Sequence, residues 1–190
     1  RLITTSCRIG DNPAPSNAIT VVRQMAGQYR TALVVGAGYN DPTTGDVGLG
    51  RAVDVMLAEA KRQGVPYVVW LTYRVAGPSA SRFAAHNALL RAKAAVTPNL
   101  VIADWAGRSA ALPSSWFSAD GIHLGTDATI AMADLIGDAL DRITAAWDDS
   151  PCIITDTTVR LASTTTQAAH AAVGPSRATR AARRLQLWCP

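Results

Sequence analysis

Three short runs of apolar, largely β-branched residues punctuate the chain: Ala32–Val35, 67–72 and Leu100–Ala103. Each ends at a polar or glycine-containing loop, the pattern of a strand buried on both faces. Around them the apolar residues switch to helical spacing. Segment 17–26 follows Pro15-Ser16, a capping start. Leu49–Arg62 sets Leu49, Val53, Met56, Leu57 and Ala60 on one face and stops at Gly64 and Pro66. Segment 82–96 meets no breaker before Pro98, and 126–143 aligns Ala133, Ile136, Leu140 and Ile143, with Thr126 and Asp127 as cap and dipole partner. The order is helix, strand, helix, strand, helix, strand, helix. That alternation predicts a parallel sheet with helices on both faces, a three-layer α/β/α domain. Ligands of such sheets bind at the carboxyl ends of the strands. The loops after Val35, Leu71 and Asp104, and the loop entering the last helix, are therefore where chemistry is expected.

The pattern runs out near residue 147. From about Asp148 the texture changes: Ser150-Pro151-Cys152 opens a Thr/Ser-rich stretch, followed by an Ala-rich one, Gly174-Pro175 and an Arg-rich end. The 190 residues thus divide into an α/β domain over 1–147 and an appended segment over 148–190. With 48% apolar and 17% charged residues, the composition is that of a globular core. The longest apolar runs are too short to cross a bilayer, so no membrane span is expected. The net charge of +4 is mild, and only 177–184 is densely basic, so no nucleic-acid face is expected. Of the three cysteines, Cys152 and Cys189 bracket the appended segment, and a disulfide between them would staple it. Cys7 would then look elsewhere for a partner. The other reading is three free thiols in a reducing compartment. No Cys/His cluster suggests a metal site.

Two loops carry the chemistry. Gly36-Ala37-Gly38-Tyr39-Asn40-Asp41 follows the first run; a dinucleotide fingerprint would need Gly where Asp41 stands, and Pro42 removes a further N–H. What remains is an amide, Asn40, delivered to the sheet edge, where it suits an oxyanion hole; the plainer reading is a simple turn. Asp120-Gly121-Ile122-His123 precedes the last helix. Asp and His three apart can fold back so that the carboxylate holds one ring nitrogen and the other serves as a base. His86 lies mid-helix and His170 lies in the appended segment, which leaves His123 as the histidine on an edge loop.

Together, Gly38-Tyr39-Asn40-Asp41 and Asp120-Gly121-Ile122-His123 resemble the GxND and DxxH motifs of the SGNH (GDSL-type) hydrolases, over roughly residues 1 to 145. The resemblance implies a flavodoxin-like sheet and an esterase or O-acyltransferase. Its substrates would be ester-linked acyl groups of lipids or cell-envelope carbohydrates, outside the cytoplasm and without metal or organic cofactor. It assigns Asp120 and His123 to a catalytic triad and Asn40 to the oxyanion hole, with Gly10 as the second donor. Tyr39, Trp105, Trp116 and Phe117 flank these loops as candidates for a substrate pocket, or as core. The family's serine, in a GDS block on the first strand, has no counterpart: Gly10-Asp11-Asn12 offers an amide instead. The chain opens at Arg1, and the expectation is that the first strand is supplied from upstream or by another chain. The competing reading is a non-catalytic binding or structural subunit of an envelope assembly, with 177–184 buried against a partner.

Overall fold

The structure, a computed structural model, describes residues 17–45 and 48–148, with side chains described as far as residue 145. The elements are α1 (Ala18–Gln24), β1 (Ala32–Val35), α2 (Leu49–Arg62), β2 (Tyr67–Leu71), α3 (Ala80–Ala95), β3 (Leu100–Ala103), α4 (Trp105–Ala110), a 3₁₀ turn (Ser114–Trp116) and α5 (Thr126–Asp148). The strands form one parallel sheet in the order β1-β2-β3, with Ala32 opposite Tyr67 and Val68 opposite Leu100.

Strand alternation divides the core in two. Leu33, Val35, Val68, Trp70 and Leu100 face α1, α2 and α3, where they meet Ile19, Val22, Val53, Met56, Phe83 and Leu90. Val69, Leu71 and Ala103 face the other way, onto Trp105 of α4 and Ala128, Ala131, Ala139 and Ile143 of α5. The expected three-layer α/β/α arrangement is the one observed.

The local differences have physical causes. The cap of α1 is Asn17 rather than Ser16; its Oδ1 accepts from the Thr20 amide at 3.0 Å and the Thr20 hydroxyl at 2.9 Å. At the start of α5 the Thr129 amide bonds the Gly125 carbonyl, so the cap position falls on Gly125 and Thr126 is already helical. Ala133 is exposed: the buried stripe of α5 runs through Ala128, Ala131, Ala139 and Ile143, one step out of phase with it. The helix also runs on past 143, since no proline or glycine intervenes before Pro151. Strand β2 stops at Leu71, although the Thr72 amide still bonds the Ala103 carbonyl at 3.1 Å.

One charge lies where an apolar stripe was expected. Glu59 on α2 is 4% exposed and accepts from Arg62, from Gln63 at 2.7 Å and from Arg23 of α1 at 3.3 Å. Gln63 in turn donates to the Val22 carbonyl at 3.0 Å, so this cluster ties α1 to the end of α2. The bonds from Arg62 and Gln63, and then Arg23, lower the Glu59 pKa to about 2 from 4.5. A lowered folded-state pKa stabilises the fold above the unfolded value, and that contribution fades as pH falls from 4.5 toward 2. Glu59→Gln is therefore expected to lower Tm at pH 7 and to differ much less from wild type at pH 2.5. Thermal unfolding followed by circular dichroism at the two pH values checks it.

Among the described residues β1 pairs with β2 alone. Beside it lies an apolar groove lined by Val21, Val22, Leu33, Val34 and Met56, which continues to Gly36 and Ala37 at the carboxyl end of the strand. Val21 and Val34 are 39% and 37% exposed there.

Candidate active site

Strand β1 delivers the first loop. Gly38, at φ 119°, takes a conformation closed to side-chain-bearing residues, and the Asp41 amide bonds back to its carbonyl at 3.0 Å. This tight turn puts Asn40 at the surface and buries Asp41 completely. Tyr39 beside it is half-buried. Its ring meets Tyr73 edge-on at 4.8 Å and Phe83 at 5.0 Å, and its hydroxyl accepts from the Arg74 amide at 3.0 Å. Burial raises its pKa, against the lowering effect of that amide. The geometry is that of a turn with Asn40 exposed on it.

The second loop is closed by its own backbone. The Gly125 amide bonds the Trp116 carbonyl at 2.7 Å, the Ser118 amide bonds the His123 carbonyl at 2.8 Å, and Phe117 bridges Leu124 antiparallel. Inside this clasp Gly121, at φ 73°, lets the chain reverse. The Asp120 carboxylate folds over the reversal: Oδ1 accepts from the Ile122 amide at 2.9 Å and the His123 amide at 3.1 Å, leaving Oδ2 for Nδ1 of the His123 ring. The Ile122 amide, then the His123 ring and amide, lower the Asp120 pKa to about 2. The carboxylate is therefore ionised throughout the working pH range. It holds the proton on Nδ1 and leaves Nε2 as the nitrogen that can accept one. The His123 side chain is 81% exposed. Among the described residues no hydroxyl bonds to it.

Both loops meet at Arg74, which the sequence did not single out: its amide touches Tyr39 and its Nε donates to the Gly121 carbonyl at 2.8 Å. An arginine three residues past a strand end has no motif to mark it. The aromatic candidates separate by depth. Trp105 is fully buried against Phe117, with ring centroids 6.3 Å apart, and packs in the core beneath the loops. Phe117 is 8% exposed, whereas Trp116 is half-buried beside the clasp. His86 is fully buried on α3 against Tyr73, and burial holds its pKa below the ordinary histidine value. Gly10, Cys7, Cys152 and Cys189 lie outside the described residues. Among the described residues no group of three or more His, Cys, Asp or Glu gathers as a metal site, and no helix is long and apolar enough to cross a membrane.

The parallel sheet sandwiched between helices is a three-layer α/β fold, with an Asp–His clasp and an Asn turn on loops at its carboxyl edge. Among solved structures the chain is similar to the C-terminal catalytic domain of peptidoglycan O-acetyltransferase A (OatA) of Streptococcus pneumoniae, determined with a methylsulfonyl adduct. The match has a TM-score of 0.53 at 20% identity and covers 67% of this chain and 74% of that one. Two carbohydrate esterases of family 3 also match: one from Talaromyces cellulolyticus (TM-score 0.48, 21% identity, 70% of this chain and 66% of that one) and one from Clostridium thermocellum (TM-score 0.43, 14% identity, 66% and 67%). The fold likeness rests on the first of the three. No protein-family model matches the chain, and no curated protein does.

Proposed function

We propose that this chain is the greater part of a serine esterase or O-acyltransferase that acts on ester-linked acyl groups of cell-envelope carbohydrates or lipids, outside the cytoplasm. The observation that carries it is the Asp120–His123 clasp: an ionised carboxylate held by two amides, with its free oxygen on an exposed imidazole. A surface ion pair formed only for stability would not need that division of labour between the two oxygens. The pneumococcal neighbour is, by its name, a peptidoglycan O-acetyltransferase, and this supports the choice of substrate class.

The nucleophilic serine belongs, on this reading, to a strand laid into the groove beside β1. That strand comes from upstream of Arg1 or from another chain. The groove ends at Gly36 and Ala37, so the last residue of such a strand arrives next to the Asn40 turn. His123 Nε2 takes the serine proton as the oxygen attacks the ester carbonyl, and Asp120 stabilises the imidazolium. Asn40, with the Gly10 amide, receives the oxyanion. The proton then passes to the departing alcohol. Water or a sugar hydroxyl, deprotonated in turn by His123, releases the acyl group. On this reading Trp116, half-buried beside the clasp, contacts the acyl group or the sugar, while Trp105 and Phe117 support the loop from below.

Hydrolysis of p-nitrophenyl acetate and butyrate, measured for this chain and for a form extended upstream of Arg1, tests the proposal. Activity is expected in the extended form and should disappear with His123→Ala. Failure of every form to hydrolyse either ester or to transfer acetyl to a glycan would instead favour the binding-subunit reading.

A further inference from the structure

Arg74 follows β2 by three residues and makes bonds in several directions. Its own amide donates to the Tyr39 hydroxyl at 3.0 Å, its Nε donates to the Gly121 carbonyl at 2.8 Å, and Nη1 donates to the Ser109 carbonyl at the end of α4. The guanidinium lies over the Phe117 ring, 3.7 Å from its centroid. Among the described residues it makes no ion pair. A half-buried guanidinium whose donors go to backbone carbonyls is fixing geometry rather than neutralising charge.

The carbonyl it holds is the informative one. Gly121 C=O and Ile122 N–H belong to a single peptide unit, and that N–H is a donor to Asp120 Oδ1. The unit is planar, so fixing the carbonyl fixes the direction of the amide. Hydrogen bonds at both ends also polarise the unit in the same sense. The chain just after Arg74 presses on the same turn. A Cβ on Gly77 would sit 2.8 Å from the Asp120 carbonyl, and one on Gly121 would sit 3.3 Å from Ala76 Cβ. Gly77 has no room for a side chain, and at Gly121 the contact would be tight and the φ of 73° unfavourable for one.

We propose that Arg74 is a positioning residue: through the Gly121–Ile122 peptide it holds Asp120, and with it His123, in place relative to the Asn40 turn. Its consequence for catalysis rests on the esterase reading; its effect on the turn does not. Arg74 reaches the two loops by opposite ends of one residue, the backbone to Tyr39 and the side chain to Gly121. A change at this position should therefore loosen the relation between the loops without emptying either of its functional group.

The test is a carbon-13 titration of the Asp120 carboxyl in the wild-type chain and in Arg74→Met and Arg74→Lys. Wild-type Asp120, with a pKa of about 2, is still ionised at pH 3. In both variants the midpoint is expected to rise by about one pH unit or more as the Ile122 amide swings away. Lysine keeps the charge but cannot reproduce the fork. Full restoration by Arg74→Lys would mean that charge alone matters and would overturn the proposal; so would an unchanged midpoint in both variants. Amide spectra of β2 and β3 verify that each variant is folded. Should Arg74→Met fail that check, hydrogen exchange at Ile122 in Arg74→Lys decides: faster exchange than wild type is expected, and equal exchange refutes the proposal. In a form that hydrolyses ester, kcat should fall in both variants with KM little changed. If no form hydrolyses any ester, the functional proposal fails while the titration still decides the role of Arg74.

Discussion

Asp120→Asn is expected to reduce kcat/KM about ten-thousand-fold in the form of the protein that hydrolyses p-nitrophenyl acetate, while leaving the fold intact. The fold survives because Asn keeps an oxygen at Oδ1, where it can still accept from the Ile122 and His123 amides. What changes is the atom facing the ring. An NH₂ group there donates to Nδ1 instead of accepting from it, so the ring proton moves to Nε2, the nitrogen that must be empty to act as base. The negative charge that would stabilise the imidazolium is lost as well. Circular dichroism should match wild type and Tm should fall only modestly, by the loss of the exposed carboxylate's charge, which separates this outcome from unfolding. A loss of less than tenfold would mean that Asp120 only shapes the turn. The proton would then have to be taken by another group.

The sequence made the sheet legible because its strands are short apolar, largely β-branched runs that end at polar or glycine-containing loops. Ala32–Val35 and Leu100–Ala103 read as strands and are strands with those bounds. The Asp120–His123 pair was legible for a local reason: an Asp at a turn bonds the amides two and three residues on, and this needs only the intervening Gly121. Arg74, Glu59 and α4 were not legible, because their roles depend on partners far along the chain. Glu59 interrupts an apolar stripe, yet it is buried because Arg23, thirty-six residues earlier, joins Arg62 and Gln63 around it. Arg74 acts on Gly121, forty-seven residues away. Helix α4 is six residues long, too short for periodicity to register, and is held by Asp104, whose carboxylate accepts from the Gly107 amide and from the Thr72 hydroxyl. Ala133 misled for the opposite reason. In an alanine-rich helix several phases of the stripe look apolar, and packing against β3 rather than composition selects one.

Replacing Asn40 by alanine should separate the turn reading from the oxyanion reading by a wide margin. If the residue only shapes the turn, the change is small, since Gly38 and the Asp41 amide already close that turn and Asn40 is exposed. A surface substitution of that kind shifts stability by less than about 1 kcal/mol and leaves turnover unchanged. If Asn40 donates to the oxyanion, kcat falls about 10²–10³-fold, equivalent to about 3–4 kcal/mol of transition-state stabilisation, and KM stays near wild type because the ground-state carbonyl is held less strongly. Asn40→Asp sharpens the contrast. It preserves size and turn preference but sets a carboxylate against a developing negative charge, so its kcat should fall below that of the alanine variant. Equal activity in Asn40→Asp and wild type would remove Asn40 from the mechanism and leave the Gly10 amide as the remaining assigned donor. Burst kinetics with p-nitrophenyl acetate place the loss. An oxyanion donor slows the acylation burst and the steady state together, whereas a defect in acyl acceptance slows the steady state alone.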